Sequence, residues 1–434
     1  MKTKVLFISM MTMFCFWDCS DKNNVIDEPE IPLQIEPKPE IPNEPETRHS
    51  YKPVQLNNTQ QAINTKLQEF SWKLFKEVYV NREKDTNLMI SPISLEVDLG
   101  MFINGLEGET LQEVLKTLGL EDYSKEQIND FFKNMMEGIE KADEAAIFKS
   151  ANAFWYNQHY TANNDYLTAI STNYAAKAEA VNYSDPQTVT KINAWCAEQT
   201  NDRIKKILEK TSEDDIFHLM NAVYFKAGWE KEFDKNVTTK KTFHYANGVT
   251  AEVDMMAQSY MTTYAETDLY QLCTKSFVDD SFQMVLILPK EGVKIEDAIP
   301  AALDINVSAS ATADGYPGKP EIRQVALSAP KFTSEYTENR LFNYLKNINP
   351  TLELDWHDLC MFEAKFEMGF EAMQKTFFLM DEEGAEAAAI TTIHGCTTSG
   401  PDPDMVYMTL NRPFFYAIVE SNTQCPLFIG YYGN

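Results

Sequence analysis

One segment determines how the whole chain is interpreted: Asp381-Glu382-Glu383-Gly384-Ala385-Glu386-Ala387-Ala388-Ala389-Ile390-Thr391-Thr392. Alanine has the highest intrinsic helix propensity, so the three successive alanines favour a helix. The β-branched residues that follow them favour a strand, and the Gly400-Pro401 pair further on interrupts regular structure. We therefore expect a short helix on an exposed loop that is able to convert into a strand.

As a strand, this segment would have one face that can be buried. Successive side chains of a strand point to opposite sides of the sheet. One face would carry Ala385, Ala387, Ala389, Thr391 and Ile393, and the other would carry Glu386, Ala388, Ile390, Thr392 and His394. All residues of the first face are uncharged and most are small, whereas the only acidic side chain lies on the second. The pattern predicts a segment that is suited to enter a sheet.

Helix signals are clear in the first part of the domain. Apolar residues spaced three or four apart predict a core helix from Gln60 to Val80. Ser91 is expected to cap a second helix that begins at Pro92 and ends near Gly105. Next, Thr110 and Glu113 have the spacing of a capping box, so a third helix is expected to begin there.

Further motifs follow one another along the domain. A helix motif at Ile192-Asn193-Ala194-Trp195 precedes a strand and turn at Met220-Asn221-Ala222-Val223-Tyr224-Phe225-Lys226-Ala227-Gly228-Trp229. The later motifs are Val253-Asp254-Met255-Met256, Leu288-Pro289-Lys290, Ala329-Pro330-Lys331-Phe332, Asn411-Arg412-Pro413-Phe414 and Leu427-Phe428-Ile429-Gly430.

These motifs, in this order, resemble those of the serpins, and positions 382–391 resemble the reactive-loop hinge of inhibitory serpins. The resemblance covers the chain from about Leu56 to Asn434. It implies an α+β fold with three β-sheets, about eight or nine helices and an exposed reactive-centre loop. It also implies that the hinge, Glu382 to Thr391, inserts into the main sheet as a strand. Ala385 stands where the family more often has Thr, and both residues are small.

The resemblance implies a bait bond that a protease attacks. Counting seventeen positions from Glu382 places this bond between Thr398 and Ser399, whereas counting back from Asn411 gives a position near Asp402. We prefer the first count because the hinge length sets how far an attached protease is carried. Cleavage one or two residues before Thr398 is an alternative. Thr398 is small and β-branched, which fits the shallow pockets of elastase-like serine proteases.

Four polar residues are implied to lie beneath the point where the main sheet opens: Ser91, Ser94, Asn221 and Gln374. Many serpins have a His at the position of Gln374. A Gln side chain can both donate and accept hydrogen bonds, but it does not titrate. We therefore expect opening of the sheet to depend on hydrogen-bond exchange and not on protonation.

The N-terminus has the pattern of an export signal. Lys2 and Lys4 precede an apolar stretch, Val5 to Trp17, that is too short to span a bilayer. Cys19 follows, so we expect a signal segment over residues 1–19, lipidation of Cys19, and display at the bacterial outer membrane or cell surface. Cleavage elsewhere, with plain secretion or a periplasmic location, is the alternative. Residues 20–55 are rich in Pro and Glu and predict a disordered linker, and residues 56–434 form the domain.

Charge and cysteine usage restrict the partners. The formal net charge of −27 and the absence of Lys/Arg clusters argue against nucleic acid and heparin. We expect no cofactor and a monomer. The cysteines that remain after export form an odd set without a disulfide pattern. They are Cys196, Cys273, Cys360, Cys396 and Cys425.

Two other groups of residues have the side-chain types of a catalytic site or a metal site. His394 and Cys396 could form a thiol–imidazole pair, but an exposed loop offers no third group to orient them, so catalysis is disfavoured. The turn Asp355-Trp356-His357-Asp358 has metal-ligand residue types, yet a polar surface turn is preferred because nothing distant pairs with it. No metal site and no enzymatic activity are expected.

Two functions follow from the sequence. The favoured one is a suicide-substrate inhibitor of elastase-like serine proteases that forms a covalent complex. The alternative is a non-inhibitory binding or structural surface lipoprotein with the same fold. The small, uncharged residues of the hinge favour the inhibitor.

Overall fold

A computed structural model describes residues 51–83, 86–294, 320–365, 373–385 and 405–434. The described residues from Tyr51 onward group into one compact unit. Its α-helices are α1 (Asn58–Asn81), α2 (Pro92–Asn104), α3 (Gly108–Leu118), α4 (Lys125–Glu140), α5 (Asn164–Tyr174), α6 (Pro186–Gln199) and α7 (Leu341–Ile348). The strands are β1 (Leu88–Ile90), β2 (Ile147–Asn157), β3 (Lys177–Val181), β4 (Phe217–Gly228), β5 (Thr239–His244), β6 (Thr250–Glu266), β7 (Tyr270–Ser276), β8 (Phe282–Pro289), β9 (Glu321–Pro330), β10 (Phe332–Glu338), β11 (Gln374–Met380), β12 (Gly384–Ala385), β13 (Val406–Thr409), β14 (Phe414–Glu420) and β15 (Pro426–Tyr432).

The structure confirms the first helix that the apolar spacing predicts. Asn57 caps α1 and forms a capping box with Gln60, which satisfies the free N–H groups of the first turn. The predicted apolar stripe is buried, from Ile63 at 0 % exposure to Val78 at 0 %. Burial of a large apolar side chain contributes roughly 1.5–3 kcal/mol, so this stripe fixes α1 against the core.

The second helix begins at Pro92, as predicted, although the Ser91 side chain makes no capping hydrogen bond. The capping box predicted at Thr110 and Glu113 is wrong. The third helix starts earlier, at Gly108, and Asp358 Oδ2 accepts the hydrogen bond from the Thr110 N–H at 2.9 Å. Because Asp358 is distant in sequence, a local pattern could not identify it as the acceptor.

The same contact explains the polar turn at residues 355–358. Asp355 accepts from the His357 N–H at 2.8 Å and caps a short 3-10 helix, while Asp358 serves α3. No group of three or more potential metal ligands occurs in the part of the chain that the structure describes. The turn is a polar capping element.

Six strands form one sheet in the order β10-β11-β12-β4-β2-β3. The longest pairing joins β2 and β4 in antiparallel fashion, from Ile147 opposite Lys226 to Tyr156 opposite Phe217. β12 is antiparallel to both of its neighbours, β11 and β4. These two flanking strands therefore run parallel to each other, with β12 between them.

The remaining nine strands form the second sheet, with a path β1-β15-β14-β8-β7-β6-β9-β13 and with β5 paired to β6. Strands β14 and β15 are buried at every residue, as expected for strands covered on both faces. The expected α+β class is confirmed. Three sheets were expected, but the described strands hydrogen-bond as two, because the long strand β6 pairs with both β7 and β9.

Among the described cysteines, Cys196, Cys273, Cys360 and Cys425 are free. No helix in the described ranges is long and apolar enough to cross a membrane. Cys19, the predicted signal segment, residues 20–50 of the predicted linker, and the pair His394 and Cys396 lie outside the described residues. Residues 51–55, the end of the predicted linker, pack on the domain instead: Val54 is 3 % exposed, and the Lys52 N–H donates to the Ala142 carbonyl at 2.8 Å.

Candidate functional site

The hinge begins inside the six-stranded sheet. Gly384 pairs with Gly228, and Ala385 pairs with both Ala227 of β4 and Met380 of β11. Ala385 is 1 % exposed, so its small side chain is covered. The two residues that form β12 thus lie between β11 and β4, beside Met380 at the end of β11 and Gly228 at the end of β4.

A tight turn returns the chain from β11 into β12. The Asp381 carboxylate accepts hydrogen bonds from the N–H groups of Glu383 and Gly384, at 2.9 and 3.2 Å. The Asp381 N–H donates to the Gly384 carbonyl at 3.1 Å. An Asp side chain that bonds to the backbone two and three residues ahead favours a turn. The sequence around Asp381 therefore encodes the reversal locally.

Gly384 permits the close approach of this turn to β4. Its φ of +148° lies where residues with a side chain are rarely found, and a Cβ atom there would lie 2.2 Å from the Ala227 carbonyl oxygen. Any larger residue would push β12 away from β4.

The turn after β4 binds the hinge through three hydrogen bonds. The Trp229 N–H donates to the Glu383 carbonyl at 2.9 Å, and the Trp229 indole Nε1–H donates to the Asp381 carbonyl at 3.0 Å. The Phe233 N–H donates to the Glu382 carbonyl at 2.9 Å. Trp229 is itself fixed, since its ring stacks on Phe277 with a centroid separation of 4.4 Å. The start of the hinge is therefore held by a turn whose two end residues, Trp229 and Phe233, are buried.

Glu382 carries a buried charge at this junction, with a residue exposure of 4 %. Its carboxylate forms an ion pair with Lys331 at 2.6 Å and accepts from the Thr238 hydroxyl at 2.9 Å. Burial alone would raise the pKa of Glu382, but the hydrogen bonds from Lys331, from its own backbone and from Thr238 outweigh it and lower the pKa. The adjacent Glu383 pairs with the exposed Lys235.

Below β12, the described residues show no direct hydrogen-bonded ladder between β11 and β4; only β12 connects them. When an antiparallel strand has already started between two parallel strands, its next residues can lengthen it by pairing with both neighbours. The geometry therefore provides a place where additional hinge residues would find backbone partners on both sides.

The four residues expected beneath the sheet opening do not form one hydrogen-bonded cluster in the described residues; Gln374 and Asn221 bond to different partners. Gln374 accepts from the Ser91 N–H and donates to the Ser91 carbonyl, each at 2.8 Å, while Ser94 is buried nearby in α2. Asn221 instead donates to Ser150 and Asn152 on β2, each at 2.6 Å. Gln374 thus joins β11 to the start of α2, and Asn221 joins β4 to β2.

Asp98 adds a titratable group that the sequence interpretation did not consider. It lies in α2 near β4; burial raises the pKa of Asp98 to about 8, and a hydrogen bond from the Asn221 backbone N–H partly opposes this shift. Its Oδ1 atom has no hydrogen-bond partner in the described ranges. The expectation that opening does not depend on protonation was based on Gln374 alone, and it stays a prediction.

The remaining hinge and bait residues lie outside the described residues. They are Glu386, Ala387, Ala388, Ala389, Ile390, Thr391, Thr398 and Ser399. Their roles remain predictions. The chain is described again from Met405, at the start of β13.

Three partners of the hinge were missed at the sequence level: Thr238, Lys235 and Lys331. Lys331 was recognised only as part of a motif at the start of β10. Its partner Glu382 is distant in sequence, and no local pattern joins the two. Only the arrangement of β10, β11 and β12 in one sheet brings them together.

Comparisons with known proteins agree with this architecture. The family model described as Serpin (serine protease inhibitor) matches residues 65–434. The chain is 28% identical over 358 residues to Serine protease inhibitor 42Dd of Drosophila melanogaster, which covers 80% of this chain and 92% of that protein. It is 24% identical over 390 residues to Alpha-1-antiproteinase of Rattus norvegicus, which covers 86% and 89%.

Solved structures show the same fold. The native state of Tengpin, a thermophilic serpin, has a TM-score of 0.76 at 28% identity and covers 89% of this chain and 98% of that chain. The latent state of Tengpin has a TM-score of 0.70 at 26% identity and covers 88% and 99%.

Proposed function

This chain belongs to the serpin family, and from that premise we propose that it is a suicide-substrate inhibitor of serine proteases. Serpins are generally protease inhibitors and not enzymes. The proposal adds to this family property a trapping mechanism, a class of target protease and a location for this chain.

One observation carries the proposal: the first hinge residues are already a strand. Gly384 and Ala385 pair with β4, and Ala385 also pairs with β11. The residues that follow are small and uncharged on the face that Ala385 shares in a strand. Extension of β12 would therefore bury alanine and threonine side chains at little desolvation cost.

The proposed mechanism uses the chemistry of the attacking protease. Its serine hydroxyl attacks the Thr398 carbonyl carbon, an ester forms, and the amine of Ser399 leaves with a proton. The cut frees the hinge to extend β12 between β11 and β4. At about 3.3 Å per residue, roughly 15 inserted residues carry the bound protease about 50 Å.

Trapping requires that insertion is faster than hydrolysis of the ester. The chain itself needs no catalytic group for this step; it needs a hinge that begins insertion without delay. The backbone pairs that Gly384 and Ala385 form with the neighbouring strands favour such a start, because the inserting residues would add to an existing strand. The displaced protease would be distorted, and the ester would persist.

We propose elastase-like proteases as the targets. Thr398 is small, β-branched and uncharged, so it fits a shallow apolar specificity pocket better than one that requires Lys or Arg. We also propose that the chain acts outside the cytoplasm as a monomer, anchored through Cys19 and spaced from the membrane by residues 20–50, or secreted. The leader sequence is the basis for this location.

The experiment is to mix the purified domain, residues 48–434, with pancreatic elastase and to analyse the products on a denaturing gel. We expect a band near the summed mass of protease and cleaved inhibitor, together with a proportional loss of elastase activity. Trypsin, which requires Lys or Arg, serves as the control protease and should form much less complex. Cleavage of the loop with fully active elastase and no complex would contradict inhibition and would support the non-inhibitory alternative.

A further inference from the structure

Lys275 is a buried lysine that packs against the turn that binds the hinge. It lies on β7 and is only 2 % exposed. Three aromatic rings surround its Nζ atom: Phe233 at 4.3 Å, Tyr260 at 4.8 Å and Trp229 at 5.1 Å from the ring centroids. Ring faces attract a cation at such distances, and the attraction is stronger away from water.

The Lys275 ammonium is also hydrogen-bonded to the turn that binds the hinge. Nζ donates to the Lys231 carbonyl at 2.8 Å and to the Gln258 Oε1 at 2.6 Å. Gln258 in turn donates from Nε2 to the Glu232 carbonyl at 2.7 Å. Two consecutive carbonyls of the turn are therefore held, one by Lys275 directly and the other through Gln258.

The residues at the two ends of that turn are those that contact the hinge. Trp229 and Phe233 donate their backbone N–H groups to the Glu383 and Glu382 carbonyls, each at 2.9 Å. Their rings also form two of the three walls around Lys275. The lysine thus contacts both the carbonyls and the rings of the segment whose amides bind the hinge.

The surroundings of Lys275 show that its charge is not held by an ion pair. No carboxylate in the described ranges lies within salt-bridge distance of Nζ. Burial lowers the pKa of Lys275 to about 7; the Cys273 thiol on the same strand raises it, and Lys231 lowers it further. The titratable group facing it from β6 is Tyr260, whose ring is part of the cage. A buried lysine without an acidic partner is costly, so a packing role alone would be better served by an apolar residue.

We propose that Lys275 is a positioning residue for loop insertion: it fixes the 229–233 turn so that Trp229 and Phe233 hold Glu383 and Glu382, directly before β12, in place. This rests on the proposed inhibitory function. The consequence is local. Without Lys275 the core should stay intact, while the contacts between the turn and the hinge should open more often.

The test measures amide hydrogen exchange, residue by residue, in the free domain without protease. The variant is Lys275→Met, which is similar in length and flexibility but lacks the charge and the donors. We expect the Trp229 and Phe233 amides to exchange at least about tenfold faster than in the wild type, with β14 amides unchanged. The matched control is Lys231→Ala, which removes the same charge from an exposed side chain beside the cage and keeps the carbonyl; its exchange should match the wild type.

A second variant keeps the test decisive if Lys275→Met does not fold. Gln258→Leu lies on a partly exposed position of β6 and removes the link to the Glu232 carbonyl, so we expect about threefold faster exchange of the Phe233 amide. Wild-type exchange of Trp229 and Phe233 in a folded Lys275→Met, or of Phe233 in Gln258→Leu, would overturn the proposal. So would equally faster exchange throughout β14. Because no protease is present, failure of the inhibitory function would appear only as a missing covalent complex and would leave this result unaffected.

Discussion

At the residue scale, the start of the hinge depends on one glycine. Gly384 combines a φ of +148° with a backbone approach that leaves no room for a Cβ atom. Gly292 also has a positive φ, +79°, but a Cβ atom there would meet nothing within 4 Å. Substitutions at these two glycines therefore distinguish the cost of backbone strain from the cost of a steric clash.

We predict that Gly384→Ala destabilises the domain by about 2–4 kcal/mol, because strain and the clash with the Ala227 carbonyl add together. Gly292→Ala should cost only about 1 kcal/mol, since strain alone applies. Urea unfolding of both variants measures the difference. Equal losses in the two variants would show that β12 does not approach β4 as closely as described.

Glu382 provides a second prediction at this scale, in which pH is the variable. Its folded-state pKa is lowered, so its stabilising contribution is complete above the unfolded-state value of about 4.3 and is lost as the pH falls through the folded-state value. We predict that Glu382→Gln lowers the free energy of unfolding by about 1–3 kcal/mol at pH 7. This difference from the wild type should shrink steadily below pH 4.

The control for Glu382→Gln is Glu383→Gln, because Glu383 has the same chemistry but pairs with the exposed Lys235. Because the Lys235 side chain is 61 % exposed, solvent screens this ion pair, and the effect at pH 7 should be smaller. An effect of Glu382→Gln that does not change between pH 7 and pH 3 would contradict the role of its charge.

At the element scale, loop insertion depends on β12 and the two strands beside it. The sequence predicts a segment with one buriable face; Gly384 and Ala385 form a strand between β11 and β4, and the residues after Ala385 lie outside the described residues. Helix positions were also predictable: the stripe of α1 and the start of α2 follow from spacing and from proline. The cap of α3 was not predictable, because its acceptor is Asp358, which only the tertiary fold brings near.

The alternation of the two faces leads to a prediction about Ala387 and Ala388. Ala387 shares the face of Ala385 in a strand, whereas Ala388 lies on the opposite face. Ala387→Arg would force a charge into the buried face, so the chain should become a substrate that is cut without trapping elastase. Ala388→Arg carries the same charge on the other face and should retain most of the complex.

The yield of covalent complex on a denaturing gel measures both variants. Equal yields from Ala387→Arg and Ala388→Arg, whether both high or both low, would mean that the assignment of the two faces is wrong.

At the scale of the whole molecule, the order of the motifs predicted the fold and the family, while the site was only partly predictable. The hinge composition is local and can be recognised from Glu382 onward. Its anchoring is not local: Trp229 and Lys331 come from different parts of the chain and contact the hinge only in the folded protein, and Lys275 contacts Trp229 from a third strand. No sequence pattern identifies such buried polar partners, because the order of strands in the sheet, and not their separation along the chain, brings them together.

The measurement that tests the central claim most directly is the thermal unfolding midpoint of the domain after its loop is cut. Insertion of the hinge would add a strand with hydrogen bonds to both β11 and β4, each contributing about 0.5–1.5 kcal/mol. We predict that the domain cleaved at Thr398 unfolds at least about 10 °C above the intact domain, and that cleaved Ala387→Arg does not. An unchanged or lower midpoint for the cleaved wild type, as a simple chain break produces, would contradict loop insertion.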